Sequence, residues 1–438
     1  MRATVAAALL FSWPWWGRAD EPVSESPSGS ATRLTQDEVV RRVLERSAAL
    51  RAARARHEAA AAQAQSARGR LLPSVNLSEE VQRFDSAFSV AFPPPIGTVV
   101  ARDQTATAFT AEAEQPLLGL FHLGADAAAR GSAESAAQAD LHTTEASIKE
   151  AVVSQLLALF EARALGEIAH ASVAQLSEQL QVARARLGAG VITRADVLRI
   201  ETAAANAQQQ EIQAQAQEQT QRAGLLVALG ESPDTKDLDF ADPDLPEPAE
   251  APPLPTFLAR ARAKRPELES ARFSEESAAR TARARGYDLF PEVNAEAAYL
   301  HVTGQAFSPQ DSGFVGIKAE WPIWDWGVRW HQRSAALAQQ EAARAEEADL
   351  EDRVATDVSS RFFTTRAAAH AIEVARTAIA SAEEAYRVTE ALVQAGSATT
   401  TDLLDAQAAL TTARSNLAQA RYNYALTLLE LSRAAGDL

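Results

Sequence analysis

The sequence contains no cysteine, so disulfides, thiolate metal sites and lipid attachment through an N-terminal cysteine are all excluded. Aromatic residues make up only 6% of the chain. Its apolar content is carried by alanine, with glutamine, glutamate and arginine between, which suits long, closely packed helices better than a globular interior. No apolar run reaches the ~20 residues that a membrane-spanning helix needs. Entry into a membrane would therefore have to be made by strands. Positive charge is also in deficit: 42 Lys and Arg stand against 58 Asp and Glu, a formal charge of −16. Nucleic acid and anionic surfaces are poor partners for such a chain. The histidines, at 57, 122, 142, 170, 301, 331 and 370, are scattered without ligand spacing. No nucleophile–base arrangement, phosphate loop or metal motif is found, so the expectation is a protein that is no enzyme and holds no cofactor or metal.

What is present is a duplication. The segments Arg186–Gly230 and Leu392–Gly436 repeat one another 206 residues apart, with Gly190 matching Gly396, Thr193 matching Thr399, Asp196 matching Asp402 and Leu198 matching Leu404. Each copy reads as helix, tight turn, helix. Gly190 and Gly396 fall where a helix end takes a left-handed residue. Three residues on, Thr193-x-x-Asp196 and Thr399-x-x-Asp402 have the form of a capping box.

Taken in order, Met1–Ala19 has the features of a secretory signal peptide: Arg2, an apolar Ala3–Phe11 and a small-x-small site at Gly17-Arg18-Ala19. Its removal takes two arginines and no acid, leaving −18. Residues 20–33 are expected to be a disordered lead. Residues 34–230 form a first repeat, residues 231–254 an acidic, proline-rich surface connection without regular pattern, and residues 255–438 a second repeat. The leading helices, Leu34–Leu72 and Pro255–Phe290, belong to the duplication at an offset of 218, with Pro73 matching Pro291 and Asn76 matching Asn294.

Alternating segments follow each leading helix, within about 74–116 and 292–323. Val293, Ala295, Ala297 and Tyr299 alternate with Asn294, Glu296 and Ala298, and Val315, Ile317, Ala319 and Trp321 alternate with Gly316, Lys318 and Glu320. The change of offset from 218 to 206 makes the first hairpin region 12 residues longer, which is expected as a longer tip loop. One apolar and one polar face fit a half-buried soluble strand or a barrel strand. Trp321, Trp324, Trp326 and Trp330 cluster at the strand-to-helix junction. Such a cluster is the aromatic belt of a membrane interface or a local aromatic cluster beneath a loop.

From Phe121 to Leu187 and from Val328 to Gln394 run two proline-free helical stretches, each ~100 Å long at 1.5 Å per residue. The returning helices, Arg194–Leu229 and Thr400–Ala435, are about half that length. The economical packing is a long helix flanked by two shorter ones stacked end to end. In the last helix Leu403, Leu410, Leu417, Tyr424 and Leu431 keep a seven-residue interval, the seam of a coiled coil. Four strands cannot close a barrel, and open edges cannot face lipid. Embedded strands would require several chains to share one barrel.

With its G-x5-D-x-L-D-A-Q start and RYNY, the stretch LVQAGSATTTDLLDAQAALTTARSNLAQARYNYALTLLELSRAAG resembles TolC-family outer membrane efflux proteins. The turn RLGAGVITRADVL and the two strand-proximal proline motifs support that resemblance, which spans nearly all of the sequence after the signal. It implies a mainly α fold with a transmembrane β part: a homotrimer sharing a 12-stranded barrel, four strands per chain, continued by a long periplasmic α-helical barrel. It implies an exit duct in the outer membrane of a Gram-negative cell. The implied partners are outer membrane lipid, a periplasmic adaptor and an inner-membrane pump of RND, ABC or MFS type, in efflux or type I secretion. It also implies that the turns at Gly190, Thr193, Asp196, Gly396, Thr399 and Asp402 dock the adaptor. Asp402 and Asp405 match two acids that ring the family's periplasmic constriction, and Trp321, Trp324 and Trp326 would lie at the membrane interface. The sequence departs from the family at Val393 and Ala398, where the gate's Tyr and Arg partners would stand. The alternative is a periplasmic coiled-coil adaptor or scaffold without a barrel.

Overall fold

The structure is a computed structural model that describes residues 32–249 and 251–438. The signal peptide and most of the expected lead lie outside the described residues.

Eight helices and seven strands are described. In chain order they are β1 (Thr32–Leu34), α1 (Gln36–Arg46), α2 (Ala48–Gly69), β2 (Ser74–Arg83), β3 (Phe88–Ala91), β4 (Thr98–Pro116), α3 (Gly119–Gly188) and α4 (Arg194–Ala228). There follow β5 (Leu238–Phe240), α5 (Leu254–Lys264), α6 (Pro266–Tyr287), β6 (Glu292–Gln305), β7 (Asp311–Glu320), α7 (Val328–Gln394) and α8 (Thr400–Ala435). The two long helices have 70 and 67 residues, so each is ~100 Å long.

The leading helices are each divided, where the sequence suggested one continuous element. Ser47 leaves the helical region (ψ 122°) and its hydroxyl accepts from the Leu50 N–H at 3.2 Å, ending α1 and capping α2. In the second repeat Pro266 holds Arg265 at ψ 117°, because its ring disfavours a helical residue before it.

The packing is that of a long helix with two shorter ones stacked beside it. Helices α2 and α4 lie end to end along α3, and α6 and α8 along α7, while α6 also packs on α3. The lateral order is α2/α4, α3, α6/α8, α7. It leaves α2/α4 on one flank and α7 on the other without a further helical neighbour among the described residues.

Where the short helices meet, each repeat has a hydrophobic core. The first joins Val39, Val43, Val152, Leu156, Leu159, Phe160, Leu225 and Leu229. The second joins Phe257, Ala261, Leu268, Val354, Val358, Leu431 and Ala435. Several are the same positions carried through the duplication: Val39 and Phe257, Val152 and Val358, Leu225 and Leu431, Leu229 and Ala435. Each fully buried Leu or Val contributes about 1.5–3 kcal/mol.

The first core also takes Leu34 and Phe240, which lie opposite one another where β1 pairs with β5 in parallel. This corrects two expectations. Thr32 and Arg33 are strand rather than disordered lead, and the connection 231–254 contributes β5, because each brings a large apolar residue to the core. The coiled-coil seam of the last helix holds, with Leu410, Tyr424 and Leu431 buried.

The main sheet runs β2-β4-β6-β7, all antiparallel, and β3 pairs beside β4 on the same side as β2. Five strands therefore occupy four lanes. The 12 extra residues of the first hairpin are not mainly loop. They form β3 and the outer end of β4, pairing Phe88–Ala91 with Thr98–Arg102. In the second hairpin the sheet ends at Glu320, so Trp321–Ile323 lie just beyond the strand.

Candidate functional site

The molecule has three places where its form is specific: the paired tips, the faces and edges of the sheet, and the ring of junctions between sheet and helices. Each tip ends its long helix with φ +77° at Gly190 or +73° at Gly396. There the Val191 N–H donates to Arg186 O at 3.0 Å, and the Ser397 N–H to Leu392 O at 2.8 Å. These five-residue return bonds with a left-handed glycine are Schellman motifs. The reciprocal caps are formed as the spacing suggested. The Thr193 N–H and hydroxyl donate to Asp196 Oδ2 at 3.0 and 2.6 Å, and the Asp196 N–H returns to the hydroxyl at 3.3 Å. Thr399 and Asp402 repeat the arrangement at 2.8, 2.7 and 3.2 Å. The threonine hydroxyl and backbone N–H hold both aspartates below the ordinary carboxylate range, with Arg199 adding its charge for Asp196.

Asp405 lies one turn beyond Asp402, exposed, and among the described residues it has no recorded hydrogen bond or ion pair. The structure thus separates the two acids in the sequence: Asp402 is engaged by its cap, Asp405 is not. Leu404, between them, packs on the core of the first tip with Val197 and Ile200.

Two contacts between the hairpins were not foreseen. Arg199 donates from the first tip to the Thr401 hydroxyl of the second at 3.0 Å. Deeper in the bundle the amides of Gln175 and Gln179 donate to the Tyr386 hydroxyl at 2.6 and 3.3 Å. Gln179 also donates to Gln407 at 2.9 Å, and Gln407 to Gln175 at 2.7 Å. Gln407 is only 3% exposed. The sequence did not mark it: the seam's intervening positions are Ala406, Ala413 and Ala420, and Gln407 falls beside them, where a polar residue is ordinary.

Pairing across the sheet sorts its side chains onto two faces. One carries Val75, Leu77, Ala111, Ala113, Ala295, Ala297, Tyr299, Val315 and Ile317. The other carries Asn76, Glu112, Glu114, Asn294, Glu296, Lys318 and Glu320. On the polar face Asn294 donates to Glu114 at 2.6 Å. The apolar face is bare: Val315 is 87% exposed and Ile317 72%. The outer sides of β2 and β7 are unpaired among the described residues.

At the four crossings from sheet to helix stand Leu72, Leu118, Phe121, Phe290, Trp321, Ile323, Trp324, Trp326 and Trp330, all exposed. Trp324 and Trp326 stack edge to face at 5.5 Å between centroids. A soluble coiled-coil scaffold has no use for a bare apolar sheet rimmed by exposed tryptophans. No helix is long and apolar enough to cross a membrane among the described residues.

The description "Outer membrane efflux protein" matches residues 39–231 and 257–437, one match for each repeat. The chain belongs to the outer membrane efflux protein family. Outer membrane efflux protein BepC of Brucella suis is 25% identical over 328 residues, covering 74% of this chain and 71% of that protein. Outer membrane protein TolC of Escherichia coli is 31% identical over 124 residues, 28% of this chain and 25% of that protein. Among solved structures, the outer membrane protein VceC of Vibrio cholerae superposes with a TM-score of 0.80 at 19% identity, covering 92% of this chain and 96% of that one. The MtrE outer membrane channel of Neisseria gonorrhoeae superposes at 0.75 with 18% identity, over 92% and 88%. The expected fold class and outer membrane location stand with the family. The function is that of an outer membrane efflux channel, and the adaptor alternative falls.

Proposed function

We propose that three copies of this chain form the passive exit duct of a tripartite efflux pump or type I secretion system. The observation that carries this reading is the sheet: four lanes, one apolar face laid bare, and an unpaired edge on each side. Open edges are not tolerated in lipid, and four lanes are too few to close. Three copies supply twelve lanes and leave no edge. The open helical flanks at α2/α4 and α7 are closed by the same operation. The apolar band then faces outer membrane lipid, with Trp321, Trp324 and Trp326 at the interface, and the acidic face lines the pore.

The paired tips lie at the far end of the long helices. There Gly190, Thr193, Asp196, Gly396, Thr399 and Asp402 present the surface for a periplasmic adaptor, which links the duct to an inner-membrane pump of RND, ABC or MFS type. Asp405, unpaired and one turn above the tip, lines the periplasmic constriction with Asp402 below it. Cargo selection belongs to the pump, since a water-filled duct makes few specific contacts.

The test is the purified protein in detergent. The mass of three copies with ion-conducting pores in planar bilayers supports the duct; a single-copy mass without detergent, and no β signal, overturns it. Co-purification of an adaptor and a pump would name the pathway.

A further inference from the structure

The duplication carries more than sequence, because it preserves strand register. In the first hairpin Ser74 lies opposite Glu114, and in the second Glu292 lies opposite Glu320. Those are equivalent pairs, Ser74 moved 218 residues on and Glu114 moved 206 on. The same two offsets relate the central seam, β4 against β6, to a seam that one chain cannot make. They turn β4 into β7 and β6 into β2. Since β7 and β2 are the two open edges, the observed pairing of β4 with β6 prescribes how β7 of one copy meets β2 of the next.

We propose that copies of this chain join along β7 and β2 in one register, set by Lys318 of one copy opposite Glu80 of the next. The proposal rests on the shared-barrel reading and specifies its interface. Glu112 lies opposite Ala298 in the central seam; carried forward 206 and back 218, these become Lys318 and Glu80. Likewise Ala111 opposite Tyr299 becomes Ile317 opposite Val81, and Gln115 opposite Ala295 becomes Trp321 opposite Leu77. Asn294, which donates diagonally to Glu114, becomes Asn76 diagonal to Glu320, whose direct partner is Ser78.

The chemistry of the transferred pairs was not an input, yet it is complementary on both faces. The polar face gains an opposite-charge pair and an amide–carboxylate pair; the apolar face gains aliphatic and Trp–Leu contacts, the kinds of cross-strand pair that stabilise antiparallel ladders. Lys318 is the only lysine of the sheet. Among the described residues it makes no ion pair within its own chain, although Glu292, Glu296 and Glu320 lie on the same face. Neighbouring registers fail. A slip of one residue turns the apolar face of one strand against the polar face of the other. A slip of two in either direction sets Glu79 or Arg83 opposite Ile317 and separates Lys318 from Glu80.

The absence of cysteine makes the test free of background. In the full chain, purified from membranes, paired substitutions Ile317→Cys with Val81→Cys, and Lys318→Cys with Glu80→Cys, are oxidised and run without reductant. Antiparallel partners alternate between close and wide spacing, so at least one of these two consecutive pairs is expected to give disulfide-linked dimers and trimers. The shifted pairs Ile317→Cys with Glu79→Cys, and Ile317→Cys with Arg83→Cys, should give none. Links in a shifted pair, or in neither in-register pair while the mass remains that of three copies, overturn the register alone. A single-copy mass overturns the shared barrel with it. Independently, Lys318→Glu should lower the heating temperature at which the trimer band is lost, and Lys318→Glu with Glu80→Lys should restore it. Failure of the double exchange to restore it counts against the pair.

Discussion

Arg199 of the first tip holds the Thr401 hydroxyl of the second at 3.0 Å, so the chain ties its own two hairpins together at their far end. The same guanidinium lies 3.6 Å from Asp196, the acid of its own cap. With Val393 and Ala398 at the positions of the expected gate partners, this bond is a tie that the chain itself supplies. Arg199→Ala is expected to raise the open fraction of single channels, and Arg199→Lys to raise it less because one donor is kept. An exposed contact of this kind shifts such an equilibrium by up to about fivefold. Unchanged bilayer recordings for both variants would remove the tie from the gate.

Asp402 and Asp405 separate by experiment because their surroundings differ. Asp402 is spent on its cap, accepting from the Thr399 N–H and hydroxyl, while Asp405 is exposed. Asp405→Ala alone is expected to carry most of the loss of block by divalent cations, and the double substitution with Asp402→Ala to raise conductance further. Asp402→Ala alone should chiefly speed amide exchange in the first turn of α8. Equal effects of the two single variants on block would contradict this division.

Acid should loosen both tips together. The folded-state pKa values of Asp196 and Asp402 are lowered by hydroxyl and N–H donors. A lowered value means that the cap's contribution is complete above the unfolded value, about 4. It is lost as the pH falls through the folded value. Hydrogen exchange around 193–197 and 399–403 is expected to be flat from pH 7 to about 5, once intrinsic rates are removed, and to rise below about 4. Thr193→Val and Thr399→Val should shrink that acid limb without removing it, because the backbone N–H of each residue still donates to the carboxylate. A tip insensitive to pH in the native chain would show that the caps do not set its order.

The tips were legible because capping is local: a glycine, a hydroxyl and an acid within seven residues determine the turn. The long helices were legible because nothing in them breaks the pattern, and both ends of α7 fall where the sequence placed them. The breaks at Ser47 and Arg265 were missed although each has a local cause: Pro266 and Ser47 both stand in strongly helical runs, and the Ser47 hydroxyl caps α2 only three residues on, at the Leu50 N–H. β1 and β5 have three residues each and exist through pairing across some 200 positions, for which no local pattern exists. The Gln175–Tyr386–Gln407 network left no local trace, because Gln407 flanks the seam where polar residues are ordinary and its partners come from other helices.

The splice between α6 and α8 carries the most buried charge. Arg433, 8% exposed, bonds the Glu267 carboxylate; Arg265 lies 3.8 Å from that carboxylate and bonds Asp357 at 2.9 Å. Burial pushes Glu267 up, but the bond from Arg433 and the neighbouring positive charge more than offset it, and its pKa is lowered overall. Its stabilisation is therefore present above the unfolded value of about 4.3 and lost as the pH falls through the folded one. Arg433→Ala leaves a half-buried carboxylate with only the more distant arginine, at a cost on the order of 3 kcal/mol. Replacing both partners, Arg433→Met with Glu267→Gln, should recover most of that, since the carboxylate bonded by Arg433 goes with it and only the partly exposed Glu150, 3.9 Å from Arg433, loses a partner. The single variant should also be closer to the native chain at pH 4 than at pH 7, because protonation of Glu267 relieves the unpaired charge. Thermal unfolding of the native, single and double variants at the two pH values measures this. An equal deficit at both would mean that Arg433 acts there through packing of its stem and not through its charge.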